Sequence, residues 1–257
     1  MYSYLAITPH IDLALISLYV FWAFFAGLIY YLHRESKREG YPLVEDRGSR
    51  AISIVGFPGI PDPKTYILHG DHTSTLPSGR QDRSDLAIAP TASFSGAPYA
   101  PTGDPMGAGV GPGAWAERQD VPDLTVDGAP KIVPLRAAPT FWIAAEDPDP
   151  RGFAVVGGDK RVAGVVSDIW VDLSEYMMRY FEVELPSGRK VLLPTTFAKV
   201  DGKRGRVICE ALYSDNFAGV PVTKSPDQVT LLEEDMIVGY YGGGLLYAHP
   251  GRAEPLL

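Results

Sequence analysis

The residues with the most chemistry in this chain stand close together: Asp168-Ile-Trp-Val-Asp172-Leu-Ser-Glu175, with Arg179 shortly after. Asp172 and Glu175 flank the end of an expected strand and its turn, so two carboxylates meet at one reversal. At a surface such a turn is ordinary, its carboxylates pairing weakly with a nearby cation, here Arg179. Covered by a partner it changes character, because desolvation raises a carboxylate pKa toward neutrality and makes the group a carrier of protons. His69-Gly70-Asp71-His72 also has metal-ligand residue types. Only two histidines are close and no third or fourth ligand is evident, so a polar turn is expected there.

Other chemistries lack their residues. There is no GxxxxGK[S/T] loop, no GxGxxG after a strand, no CxxCH, no HExxH and no GxSxG. The glycine-rich run GYYGGGLLY follows a helical pattern and has no Lys, Ser or Thr to meet a phosphate. No self-contained active site is expected. Cys209, the single cysteine, excludes a disulfide within the chain, and its place in RVICEAL predicts a buried apolar thiol. With 23 Lys and Arg against 31 Asp and Glu, the net charge of −8 argues against a nucleic-acid binder. A length of 257 residues, 46% of them hydrophobic, fits one ordinary domain plus extra segments.

The first element that could position these residues lies far upstream. Leu13 to Leu32 reads LALISLYVFWAFFAGLIYYL, twenty residues without a charge. As a helix it is about 30 Å long, the thickness of a bilayer's hydrocarbon. A cleaved signal peptide would have a basic segment first and a shorter apolar core, whereas residues 1–12 contain no Lys or Arg. The alternative is the core helix of a soluble protein, which seldom runs so long without a polar face. Arg34, Lys37 and Arg38 follow the span, so the positive-inside rule predicts a cytoplasmic C-terminal side and an N-terminus across the membrane. Tyr30 and Tyr31 fit an interfacial aromatic belt, the basic residues can meet lipid phosphates, and Gly40-Tyr41-Pro42 ends the helix and turns the chain sideways.

From Pro42 to about Pro139 the chain is rich in Pro and Gly and admits no helix of useful length. Its spaced apolar residues, Phe57, Tyr66, Phe94, Tyr99 and Trp115 among them, are more than a solvated linker needs. An extended segment lying on a larger surface is expected, with short strands at KTYIL and KIVPL. Beyond Glu146 come RVAGVVSDIWVDL, MRYFEVEL, a PSGR turn, KVLLPTTFAKV, a DGKRG loop and RVICEAL, a succession of strands. In RYFEVEL, Phe181, Val183 and Leu185 alternate with Glu182 and Glu184, predicting one buried and one wet face. Ser225 is expected to cap a helical turn with Pro226 at its first position, leading into LLEEDMIVGYY and ending at Gly242-Gly243-Gly244. A small, strongly bent β-barrel with an appended helix follows.

The motifs in order resemble the H subunit of the purple-bacterial photosynthetic reaction centre over essentially the whole chain. They are AGLIYYL, REGYPL, PKTYIL, GAPYAPTGDPM, GVGPGAW, KIVPLRAA, DPRG, VSDIWVD, RYFEVEL, NFAGVP and SPDQVTLLEED with GYYGGGLLYA. The resemblance implies a single N-terminal transmembrane helix plus a mainly-β cytoplasmic domain with a PRC-type barrel and a short C-terminal helix. It divides the chain into a periplasmic N-terminus (1–12), the span (13–32), an extended segment lying on partner subunits (33–140) and a PRC-barrel domain (141–257). It implies a non-enzymatic subunit in the bacterial inner membrane, binding no pigment itself. Such a subunit caps the cytoplasmic face of the L and M subunits, which hold bacteriochlorophyll, bacteriopheophytin, quinones and a non-haem iron. A cytochrome subunit, antenna polypeptides and membrane lipids are implied as further neighbours.

In that family a glutamate of the VDxxE turn belongs to a proton relay to the secondary quinone. The matching position is Glu175, with Asp172 and Arg179 as neighbours and Asp168 earlier in the motif. Some relatives carry histidines before the KIxP strand, where protons are taken up; this chain has none there, and Asp123 or Asp127 substitutes in kind. A membrane-tethered PRC-barrel adaptor without a photosynthetic role is the alternative that the residues by themselves leave open.

Overall fold

The computed structural model describes residues 6–8, 11–47, 50–78, 83, 85–94 and 96–252. Most of the expected N-terminal segment 1–12 therefore lies outside the described residues, as does GRQD of TLPSGRQDRSD. Two compact units divide the chain, Met1–Arg83 with Phe94–Gly96 and Ser84–Ser93 with Ala97–Leu257.

The first unit begins with a pair of very short strands, β1 (Ala6–Thr8) and β2 (Ile11–Asp12), and then α1, Leu13–Glu35. Asp12 caps α1 by accepting a hydrogen bond from the Leu15 amide at 2.7 Å, which satisfies one of the donors a helix start leaves free. Twenty-three residues of helix are about 34 Å long. None of them is buried; Tyr19, Val20 and Phe24 are each more than 60% exposed. A core helix would bury such a surface, so α1 has the length and covering of a membrane anchor. It runs three residues past Leu32, the last residue of the expected span, and closes in a 3-10 turn, Ser36–Arg38, just before Gly40. Gly40 then adopts a positive φ of 71°, a conformation that glycine takes without strain.

Two hairpins follow in this unit, β3 (Leu43–Arg47) with β4 (Arg50–Ile54) and β5 (Lys64–Ile67) with β6 (Thr73–Leu76). The strand expected at KTYIL is β5. His69–Asp71 of the HGDH stretch form a kinked turn between β5 and β6, in which Gly70 takes a positive φ of 71°.

The second unit starts with a hairpin of β7 (Ile88–Pro90) and β8 (Tyr99–Pro101). Its main sheet contains β9 (Ile132–Pro134), β10 (Ala154–Gly157), β11 (Val162–Asp172), β12 (Met177–Glu184), β13 (Lys190–Pro194), β14 (Lys199–Asp201) and β15 (Arg206–Cys209). The order is β13-β12-β11-β10-β15-β14, with β9 also on β11. β11, rich in β-branched residues, is long enough that β10 pairs with its first part and β9 with its last. No pairing joins β13 to β14 among the described residues, so closure of the expected barrel is not seen there. KVLLPTTFAKV is two strands rather than one: after Pro194 the chain makes a 3-10 turn at Thr195–Phe197 before β14.

Trp170, Phe181, Leu193, Leu212, Phe217 and Tyr241 are fully buried and belong to one core cluster. Cys209 is buried as its sequence context predicts, and burial pushes its thiol pKa up. α2, Leu231–Tyr247, packs against this core. Its cap is Thr230, not Ser225: the Thr230 hydroxyl accepts from the Glu233 amide at 3.1 Å, while Glu233 accepts from the Thr230 amide at 2.9 Å. That reciprocal capping box satisfies two free donors at once.

Nor do the glycines end α2. A Cβ on Gly242 would stand 2.9 Å from the Pro112 carbonyl oxygen, and one on Gly244 would stand 2.7 Å from that of Ala211. The glycines stay helical because backbone from two loops packs where side chains would be. Close packing offsets their cost of about 1 kcal/mol each as helix formers.

Candidate functional site

The site grows from the two ends of the short strand β9. Its register on β11 pairs Ile132 with Asp172 and Pro134 with Trp170. Lys131, just before β9, and Arg136, just after it, are thereby carried to the two acidic positions of β11, Asp172 and Asp168.

At the first end, the Lys131 ammonium is 3.1 Å from Glu175 Oε1, 3.5 Å from Asp172 Oδ2 and 3.7 Å from Asp123 Oδ2. The Lys131 backbone is held on both sides, its amide donating to the Asp123 carbonyl at 2.8 Å and its carbonyl accepting from the Leu173 amide at 2.9 Å. Asp172 is 1% exposed. Its Oδ1 accepts from the Ser174 and Glu175 amides, each at 2.9 Å, which shapes the turn as an acidic side chain capping its own chain. Its Oδ2 is buried and has no hydrogen-bond partner. Glu175 is half exposed. The hydrogen bond to Glu175 raises the Lys131 pKa, against the opposing effect of its burial.

At the second end, Arg136 Nη1 donates to Asp168 and to Glu182, both at 2.9 Å, and Nη2 reaches Asp227 at 3.1 Å. Glu182 also accepts from Lys190 at 2.7 Å, Ser167 at 2.8 Å and Trp170 Nε1 at 3.2 Å. Burial pushes this carboxyl up, but the donors outweigh burial and hold it down at about 2. A cleft of about 600 Å³ opens here, lined by Arg136, Trp170, Glu182 and Lys190 among others.

A third group belongs to the start of α2. Tyr180 donates to Glu234 at 2.7 Å, and Arg179 Nη2 lies 3.6 Å from the same carboxylate. Burial raises the pKa of Glu234 and also that of Tyr180.

The structure thus brings Asp123, Asp172 and Glu175 together and places the other expected site residues elsewhere. The turn's carboxylates do not pair with Arg179. Their cation is Lys131, because β9 pairs with the end of β11 while Arg179 faces Glu234. Asp168 belongs to the Arg136 group. Asp127 is exposed in the turn between Leu124 and Pro130 and makes no ion pair among the described residues. Glu182 is not on a wet face but 3% exposed, in contrast to Glu184. Alternation could not reveal this, since a sheet face that is polar in pattern can still be covered by an arginine from another segment. The missed residues are Lys131, Arg136, Glu182 and Glu234. The one signal for the first two was a basic residue on either side of the apolar IVPL.

Of the residues expected at the membrane exit, Tyr30 and Tyr31 are exposed, and Arg34 and Tyr41 are partly exposed. Lys37 and Arg38 are not free to meet lipid phosphates. Lys37 is 3% exposed, donates to the Val55 and Pro58 carbonyls, each at 2.6 Å, and lies over the Tyr41 ring. Arg38 pairs with Glu35 at 2.8 Å and donates to the Asp62 and Leu76 carbonyls. Both are taken up by the loops after Gly40, which offer carbonyls a strand ladder leaves unused.

Residues 5–137 match the family described as photosynthetic reaction centre, H-chain N-terminal region, and residues 144–215 match the PRC-barrel domain family.

Proposed function

We propose, from the premise that this chain belongs to the photosynthetic reaction centre H-chain family, that it caps the cytoplasmic face of the L and M subunits, shields their quinone sites and conducts protons to the secondary quinone. The family is a non-catalytic structural subunit of the reaction centre, anchored in the membrane by its N-terminal helix. In the arrangement proposed, residues 1–12 are periplasmic, 33–140 lie along the partner subunits and 141–257 form the barrel domain on the cytoplasmic side. Pigments, quinones and iron are held by those partners; a cytochrome subunit, antenna polypeptides and lipids complete the surroundings.

The observation that carries the relay is Asp172. A quinone reduced by two electrons takes up two protons to become quinol, and its site is buried. A path to such a site needs carboxylates that are reachable from water at one end and desolvated at the other. Asp123 and Glu175 are exposed, Asp172 is buried beside them, and its Oδ2 has a free lone pair. Asp123 stands where protons enter from the cytoplasm, with Asp127 as an exposed carboxylate four residues on. Asp172 and Glu175 pass them inward. Asp168 and Arg179, in neighbouring charged groups, tune the potential around the path.

Glu175→Gln and Asp172→Asn in the assembled complex test this. Each should slow the proton uptake that accompanies the second electron by at least about tenfold; unchanged uptake in both removes the relay. Near-infrared absorbance of the detergent-solubilised complex separates this reading from the adaptor, which would come away colourless.

A further inference from the structure

Among the described residues, Lys131 is the one cation that the three carboxylates of the candidate relay share. It is placed by backbone hydrogen bonds to both Asp123 and Leu173, so its stem is fixed while its ammonium can choose among partners. Three carboxylates face that ammonium, Asp123 from the loop before β9, Asp172 from the end of β11 and Glu175 from the turn beyond it. With all three ionised the formal charge of the group is −3 + 1 = −2. Only Glu175 is within hydrogen-bond distance; at 3.5 Å the Asp172 Oδ2 feels the charge without receiving a hydrogen bond.

We propose that Lys131 is the positioning residue of this relay, gathering Asp123, Asp172 and Glu175 around one ammonium so that a proton can pass among them; the inference rests on the relay reading above. One ammonium cannot neutralise three carboxylates, so the excess negative charge attracts a proton. When Glu175 takes one, it loses its hold on the ammonium, which is then drawn to Asp172 or Asp123. The proton and the cation thus exchange places within a space of about one side chain's swing. No covalent step is involved: a proton bound at one carboxylate is released to the next, and Lys131 stays protonated throughout.

The effect follows from charge and reach. Without the ammonium, three like charges have nothing to hold them together, so a proton loses its short path among them. Lys131→Gln should slow second-electron proton uptake in the assembled complex by at least about tenfold, whereas Lys131→Arg, which keeps the charge, should restore most of the wild-type rate. The urea midpoint of the detergent-solubilised chain should stay in place in both variants. Unchanged uptake in Lys131→Gln, a loss that Lys131→Arg does not restore, or a midpoint that falls together with the rate, as for a purely structural lysine, overturns the proposal.

The relay reading itself fails on a different outcome, unchanged uptake in both Glu175→Gln and Asp172→Asn. If those variants slow uptake while Lys131→Gln leaves the rate in place, only the role of Lys131 falls. Should Lys131→Gln fail to assemble with its partners, Lys131→Arg in the assembled complex still decides: it should keep the wild-type uptake, and a loss of about tenfold in that variant overturns the proposal.

Discussion

Two charged clusters sit four residues apart on β11 and use the same residue types, yet they are built in opposite ways. Around Arg136 every acceptor is met: Glu182 alone takes hydrogen bonds from Arg136, Lys190, Ser167 and Trp170. Around Lys131 one cation faces three carboxylates, and the buried Oδ2 of Asp172 has no donor. A saturated buried network fixes a structure, because each member lost strands a charge in a low dielectric. An unsaturated one retains the capacity to take a proton. The difference teaches that burial alone does not single out a carboxylate for proton transfer; in the relay proposed, it is the unmet acceptor beside a solvent-reachable neighbour that does.

The contrast breaks most readily at Glu182. Glu182→Ala should cost about 3–5 kcal/mol, since it leaves Arg136 and Lys190 without their buried partner; urea unfolding of the detergent-solubilised chain measures it. A loss below 1 kcal/mol would mean the Arg136 cluster is no more structural than the other. Next comes pH. Glu182 has a folded pKa of about 2 against an ordinary value of 4.5, so its contribution is fully present above pH 4.5 and is lost as pH falls through about 2. The difference of about 2.5 units corresponds to roughly 3 kcal/mol. Glu182→Gln should therefore show a flatter acid limb than the wild type, and parallel limbs would contradict the assignment. Glu234 acts in the other direction: burial raises its pKa, so what it contributes is present below pH 4.5 and fades as pH rises through its folded value.

The smallest effect on stability belongs to the candidate relay. Glu175→Gln removes a half-exposed ion pair and should change the unfolding free energy by less than about 1 kcal/mol, even as it slows proton uptake. That separation of stability from function sharpens the comparison. A large loss in unfolding free energy would make Glu175 a structural residue like Glu182.

Much of the architecture was legible in order along the chain. An uncharged twenty-residue run can only be covered by lipid or by a very large core, so α1 was plain from Leu13 to Leu32. Strands β11, β12 and β15 were readable from alternation and β-branched residues. The helix end was misread at both termini for the same reason: Ser225 and the triple glycine carry local signals, and local signals yield to packing. Thr230 and Glu233 closed the capping box, while the loops at Pro112 and Ala211 needed the glycines as surface to pack on.

Residue types and spacing by themselves determined that the chain has a membrane span, that its body is mainly strands, and that Asp172 and Glu175 meet at a turn, because each follows from periodicity or from neighbours within a few positions. Only the tertiary structure decided which cation those carboxylates face. Lys131 precedes Asp172 by some forty residues, and nothing in the sequence selects it over Arg179, three residues past the turn. The register of β9 on β11 does so, with Ile132 opposite Asp172. That register is an energy summed over a whole sheet, which no local pattern contains.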